Sequence, residues 1–195
     1  MIHNFTQSLR HEREQADAAD LIYREYLHPD QIIRYSNDTP HDMEMQKKDI
    51  DVSLVFGGKT FHISEKFRDN DYGDMYLEVY SKYPGTKGWL LTGSPDAIVY
   101  FTPAKVYWIG HHTLIKCYME HLQPLLKDEW FDEIFVSGKN IIKKNIRVNQ
   151  RPTTISIIQA HNRDGAAWET IGIAIPFRLL TDNGVKIKII KDHLP

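Results

Sequence analysis

The stretch DIDVSLVFGGKTFHISEKF, residues 49–67, carries the decision about the fold. Two apolar-rich segments, 50–56 and 59–67, flank the dipeptide Gly57-Gly58, a signal for a tight β-hairpin turn. The register of that hairpin then decides which side chains meet. A two-residue turn sets Phe56 opposite Lys59, Asp51 opposite Ser64 and Asp49 opposite Lys66. Asp49, Asp51 and Lys66 then share one face, and Glu65 lies on the other with Ile50, Val52, Leu54, Phe61 and Ile63. A three-residue turn instead sets Asp51 opposite Glu65, because a slip of one residue moves every side chain to the other face. A β-bulge near 64–66 would bring Asp51, Glu65 and Lys66 together, and bulges occur beside active sites.

The strand runs on into unusual company. HISEKFRDNDYGDMYLEV, residues 62–79, holds two glutamates, three aspartates, a lysine and an arginine among core-type residues such as Ile63, Phe67, Leu77 and Val79. Charge is costly to bury unless it is paired or binds a metal. An edge strand with one wet face accounts for such a pattern, with its ion pairs worth little. So does an active site. Two carboxylates and a lysine at the mouth of a hairpin can hold a hard cation such as Mg²⁺, with water completing its shell. The cation then activates a bound water and stabilises charge on a phosphate.

Outward from the hairpin the chain reads as alternating helix and strand. Residues 4–27 show helical apolar spacing and stop at His28-Pro29. Residues 35–45 read as a polar loop, and 74–81 as a strand. A second hairpin is expected from 96–101 and 105–109, a second long helix over 111–127, and strands near 153–158, 169–175 and 185–190. This order implies a mixed α/β, α+β-like fold: a central mixed sheet containing the hairpin 50–67, flanked by helices 4–27 and 111–127.

The chain has 195 residues, 42% hydrophobic, 26% charged and 11% aromatic, with a formal net charge of −2. That is one globular domain of ordinary size, with 137–195 as a β-rich C-terminal extension. The net charge implies no nucleic-acid or membrane partner, so any such partner must come from local patches. A single cysteine, Cys117, excludes an internal disulfide and a zinc site built on several thiolates. The N-terminus has no apolar run of signal-peptide length and no window is apolar enough to span a bilayer, which points to the cytoplasm.

Taken together, Gln46 and Asp51, the glycine turn, Ile63-Ser64-Glu65-Lys66, Tyr72-Gly73-Asp74, Glu78, Gly88-Trp89 and Asp96–Tyr100 resemble phage and bacterial proteins placed with the PD-(D/E)XK nuclease superfamily. The resemblance covers about residues 5–110. It implies a restriction-endonuclease-like core: a helix, a meander of about three strands, a helix and a further strand. The superfamily aspartate lies on the second strand and its Glu-x-Lys on the third. Carried over, Asp51 and Glu65 are metal ligands for Mg²⁺ or Mn²⁺, and Lys66 orients the water. Gln46, Asp74 and Glu78 are accessory, as is Glu12, Glu14 or Asp20 of the first helix. The chain departs from the pattern at Ser64, which stands where the first acid belongs. A second registration uses Asp74, Glu78 and Lys82.

Two further patterns bear on partners. SGKNIIKKNIRVNQR, 137–151, offers Lys139, Lys143, Lys144, Arg147 and Arg151 with no acid, a phosphate-contacting patch or a lysine-guarded strand edge. His111, His112, Cys117 and His121 are too few and too scattered to argue for zinc. Trp89, Tyr107 and Trp108 suit core packing more than base stacking, and no motif supports Cys117 as a nucleophile. The resulting expectation is a Mg²⁺-dependent endonuclease hydrolysing phosphodiester bonds in DNA, without a membrane partner and with a homodimer allowed. The alternatives are an inactive nuclease-fold module that binds nucleic acid or protein, and a purely structural protein.

Overall fold

A computed structural model describes residues 5–36, 38–164 and 166–192. Helix α1 (Phe5–Ile22) continues into a π-helical turn at 23–27 and stops at His28. That residue adopts φ 52°, its N–H closing on the Tyr23 carbonyl, and Pro29 prevents continuation. A short strand β1 (Gln31–Arg34) follows, then helix α2 (Pro40–Lys47). The sequence reading made 35–45 a loop and did not mark β1. The helix forms because Thr39 caps it, accepting from the Asp42 N–H at 3.1 Å, with Pro40 in the first turn.

The hairpin comes next, β2 (Val52–Phe56) and β3 (Lys59–Phe67). Gly57 and Gly58 take φ 55° and 77°, the pair of positive values a primed turn demands. Phe56 pairs with Lys59 and Val52 with Ile63, which is the two-residue-turn register. Then follow β4 (Asp74–Lys82), β5 (Thr86–Lys87), the single turn α3 (Trp89–Thr92), β6 (Ala97–Phe101) and β7 (Lys105–Gly110).

The expected helix over 111–127 is broken. Helix α4 (His111–Cys117) passes through a π turn and a 3₁₀ turn at Pro124, and a separate helix α5 (Asp128–Ser137) starts afterwards. Pro124 cannot donate to the ladder and ends it. The remainder is β8 (Ile141–Val148), β9 (Arg151–Asp164), β10 (Ala166–Pro176), α6 (Phe177–Asp182) and β11 (Ile187–Asp192).

These strands make two sheets, and the fold is mixed α/β of the α+β kind. A mixed six-stranded sheet runs β1-β2-β3-β6-β7-β11, with β3 and β6 parallel. An antiparallel five-stranded sheet runs β5-β4-β10-β9-β8. The C-terminal strands therefore complete both sheets: β10 pairs with β4, and β11 with β7.

Strand β6 is buried on both sides and divides two cores. Ala97, Val99 and Phe101 pack with Ala19, Ile22 and Tyr23 of the α1 segment. Ile98 and Tyr100 pack toward the second sheet and α4 to α6. Among the described residues no helix is long and apolar enough to cross a membrane.

Candidate active site

Residues alternate between the two faces of β3, and that alternation builds the site. Glu65 lies beside Val99, on the α1 side; Ser64 and Lys66 lie beside Ile98 and Tyr100, on the other. No register shift interrupts β3, so no bulge brings Glu65 and Lys66 to one face.

On the α1 side the Glu65 carboxylate is only 4% exposed. It accepts from Arg34 Nη1 at 2.9 Å and Nη2 at 3.2 Å, and from the Tyr23 hydroxyl at 2.6 Å. Arg34 also donates through Nε to Asp20 and through Nη2 to the Ala16 carbonyl, both at 2.9 Å. Burial disfavours the guanidinium charge, but the hydrogen bonds and charges of Glu65 and Asp20 outweigh it and hold its pKa above the usual value. The same burial, with Glu65 beside it, pushes the Tyr23 hydroxyl well up. This network ties α1, β1 and β3 together, with three hydrogen bonds to the Glu65 carboxylate and both of its oxygens engaged.

On the other face Lys66 Nζ meets Asp49 Oδ1 at 2.7 Å, and the Ser64 hydroxyl donates to Asp49 Oδ2 at 2.6 Å. Asp49 is held at φ 58°, a left-handed conformation tolerated by Asp, where the chain leaves α2 for β2. The Lys66 ammonium also lies 5.2 Å from the centre of the Trp89 ring. Glu78, from β4, accepts from the Trp89 N–H at 3.3 Å. Burial raises the Glu78 pKa; the Lys66 charge lowers it and Asp49 raises it, which puts all three in one electrostatic neighbourhood.

Asp51 sits at the start of β2, accepting from the Glu65 N–H at 2.7 Å. Burial drives its pKa up to about 6, partly offset by Lys66 and by that N–H, and reinforced by Asp49 and Glu65. His111, at the head of α4, is 8% exposed and its Nε2 makes no hydrogen bond. Burial lowers its pKa, with the Asp49 charge opposing.

Of the residues singled out in the sequence, the structure thus brings Asp51, Lys66 and Glu78 into one charged neighbourhood and places Glu65 elsewhere. Gln46 donates to the Tyr35 carbonyl at 2.9 Å and braces the loop after β1. Asp74 lies 3.8 Å from Arg68, and burial raises its pKa. Lys82 covers Trp168 instead of joining Asp74 and Glu78. Asp20 serves Arg34, Glu14 is exposed, and the Glu12 side chain lies outside the described residues.

The basic stretch divides as well. Lys144 pairs with Glu133, and Arg151 with Asp182 at 3.0 Å, while Lys143 faces a groove described below. Lys139 and Arg147 are exposed. Tyr107 stacks on Phe177 and Trp108 edges onto Phe61, so both pack. Burial lifts the Cys117 thiol to about 11, away from the nucleophilic range. Arg34 and Tyr23 are the participants that residue-by-residue reading missed, and Asp49, placed opposite Lys66 by the two-residue register, was not counted among the site residues.

Among the described residues no three His, Cys, Asp or Glu side chains converge on one point. Comparison with known proteins adds no assignment: no family model, curated protein or solved structure matches the chain.

Proposed function

We propose that this protein is a nuclease-like hydrolase that cuts phosphodiester bonds in DNA with the help of Mg²⁺ or Mn²⁺, as the resemblance to the PD-(D/E)XK superfamily implies. The observation that carries the reading is the position of Lys66: ion-paired to Asp49, shielded by Trp89, and within charge range of both Asp51 and Glu78. The chain order supports it. Helix α1 precedes three neighbouring antiparallel strands, β1, β2 and β3, with helix α2 between the first two; Asp51 lies just before β2 and Lys66 on β3.

The donor set fits a hard cation. Asp51 and Glu78 each keep one carboxylate oxygen that makes no hydrogen bond among the described residues. Burial raises the pKa of both, and a bound cation would offset that cost. Magnesium is commonly held by one or two carboxylates with waters in the other positions, so three converging acids are not required. Asp51 and Glu78 are the residues that would hold it, with Glu78 taking the part that sequence order gave to Glu65. When bound, the cation supplies an acidified water and neutralises charge on the phosphate. Lys66 donates hydrogen bonds to the attacking water or to a phosphate oxygen, and Asp49 with Ser64 fixes where the ammonium stands. Trp89 limits access of bulk water to that ammonium.

The test is cleavage of plasmid and oligonucleotide DNA with Mg²⁺ or Mn²⁺. Wild type cleaves, while Lys66→Ala and Glu78→Gln fold normally and do not. Cleavage unchanged in both variants would exclude the reading.

A second reading is favoured by one observation. Ser64 occupies the place of the first superfamily acid, and both oxygens of Glu65 are hydrogen-bonded to Arg34 or Tyr23. On that reading the protein binds nucleic acid or protein without cutting, and wild type shows no metal-dependent cleavage.

A further inference from the structure

The outward face of the five-stranded sheet is concave. Its groove of about 750 Å³ begins at Glu78 and runs across β10 and β9 to Lys143 on β8. The sequence explains the hollow. Met75, Leu77 and Val79 of β4 turn inward to the core, so Asp74, Tyr76 and Glu78 turn outward. The floor mixes small side chains, Ser156, Ala160 and Ala174, with the larger Ile158 and Thr170. At Gly172 a Cβ would come within 2.5 Å of the Tyr76 ring, so only glycine lets that ring lie down on β10.

The groove has the parts that hold a flat ring and a phosphate. The Arg68 guanidinium lies 5.6 Å from the Tyr72 ring and 5.7 Å from the Tyr76 ring, a platform of planar groups at one wall. Tyr72 is 66% exposed and offers ring surface to solvent. Asp74 lines the same wall, its Oδ1 lying 3.8 Å from the Arg68 guanidinium and holding that group beside the rings. Lys143, on the opposite wall, has no acidic partner among the described residues.

We propose that this groove binds single-stranded nucleic acid. An unpaired base stacks on Tyr72 and Arg68, and Lys143 meets the backbone phosphate. Base faces are open to such stacking only when the strand is unpaired, and stacking tolerates any base. The volume falls within the range of clefts that take small ligands, roughly 300–1,000 Å³. Because Glu78 belongs to both the groove and the charged site, a strand seated here leads its backbone toward Lys66 and Asp51. The inference rests on the hydrolytic reading for its role as substrate selection; the binding itself is separable.

The experiment is fluorescence anisotropy of a labelled twelve-nucleotide single strand, and of the same sequence as a duplex, with the full-length chain in EDTA. The single strand is expected to bind at least about tenfold tighter than the duplex. Tyr72→Ala, at an exposed position that does not threaten the fold, should weaken single-strand binding by about tenfold. Lys143→Ala should lower the dependence of log Kd on log salt by about one. Equal affinity for single strand and duplex, or no loss in Tyr72→Ala, overturns the inference.

A parallel cleavage assay separates the two ideas. Lys66-dependent cleavage of both DNA forms without a Tyr72 effect sinks the groove and keeps the hydrolase. Tyr72-dependent binding without any cleavage keeps the groove and sinks the hydrolase. No binding of either form sinks the groove.

Discussion

Glu65 and Lys66 are neighbours in the chain and serve opposite sides of the molecule. Glu65 enters a shell made by Arg34, Tyr23 and the α1 segment, where both carboxylate oxygens are hydrogen-bonded. Lys66 enters a cleft where its partner Asp49 is shared with Ser64 and where Asp51 and Glu78 carry raised pKa values. One side is electrostatically satisfied, which is what a structural brace needs. The other holds carboxylates that would be better served by a cation. Without a bulge, adjacent residues of a strand serve opposite faces, because the strand's period is two.

Breaking the cleft side should have the largest effect. Lys66→Ala is expected to reduce metal-dependent cleavage by about 10²–10⁴-fold, the range typical for loss of a positioned catalytic group. Its melting temperature should fall, because Asp49 loses its cationic partner in a part-buried pair, so cleavage is compared per folded molecule.

Breaking the braced side comes next. Arg34→Ala leaves Glu65 buried without its cation, a class of change worth about 3–5 kcal/mol. With Arg34 itself partly exposed, the lower end, about 3 kcal/mol, is expected from denaturant unfolding. Cleavage per folded molecule should be retained.

Asp51 sharpens the comparison through pH. Its pKa is raised to about 6 from an ordinary 3.8, so the fold prefers the protonated form. Its stabilising contribution is fully present below pH 3.8 and lost as pH rises through about 6. Asp51→Asn, always neutral, should therefore be more stable than wild type at about pH 7.5, by up to about 3 kcal/mol. The difference should vanish near the ordinary carboxylate pKa. Unfolding of both proteins across this range checks it; a difference independent of pH would mean that Asp51 carries no such burden.

The smallest effect belongs to Ser64→Ala. It removes one hydrogen bond to Asp49 and should cost about 1 kcal/mol of stability. The Lys66–Asp49 pair should persist, and cleavage should fall only slightly.

Much of this geometry was legible in the sequence. Gly57-Gly58 admitted only a few registers, and the two-residue turn by itself puts Asp49 against Lys66 and Glu65 on the opposite face. The mixed sheet and its hairpins followed from alternating apolar residues. What was not legible is non-local. Strand β1 is four residues long, too short for a periodic signal, and it carries the arginine that claims Glu65. The second sheet is closed by β10 on β4, pairing Ile175 with Met75, and no local pattern announces such a partner. Helix α2 was hidden in a polar stretch, where Thr39 and Pro40 were read as turn residues when they start a helix. The groove over Gly172 depends on that β10–β4 pairing.

The division of labour between the two faces of β3 is tested most directly by comparing Glu78→Gln with Glu65→Gln. Each is measured for Mg²⁺-dependent cleavage and for melting temperature. The expected result is a crossed pattern: Glu78→Gln melts like wild type and does not cut, while Glu65→Gln melts lower and cuts at nearly the wild-type rate when folded. The reverse pattern, with cleavage lost in Glu65→Gln and kept in Glu78→Gln, would contradict it.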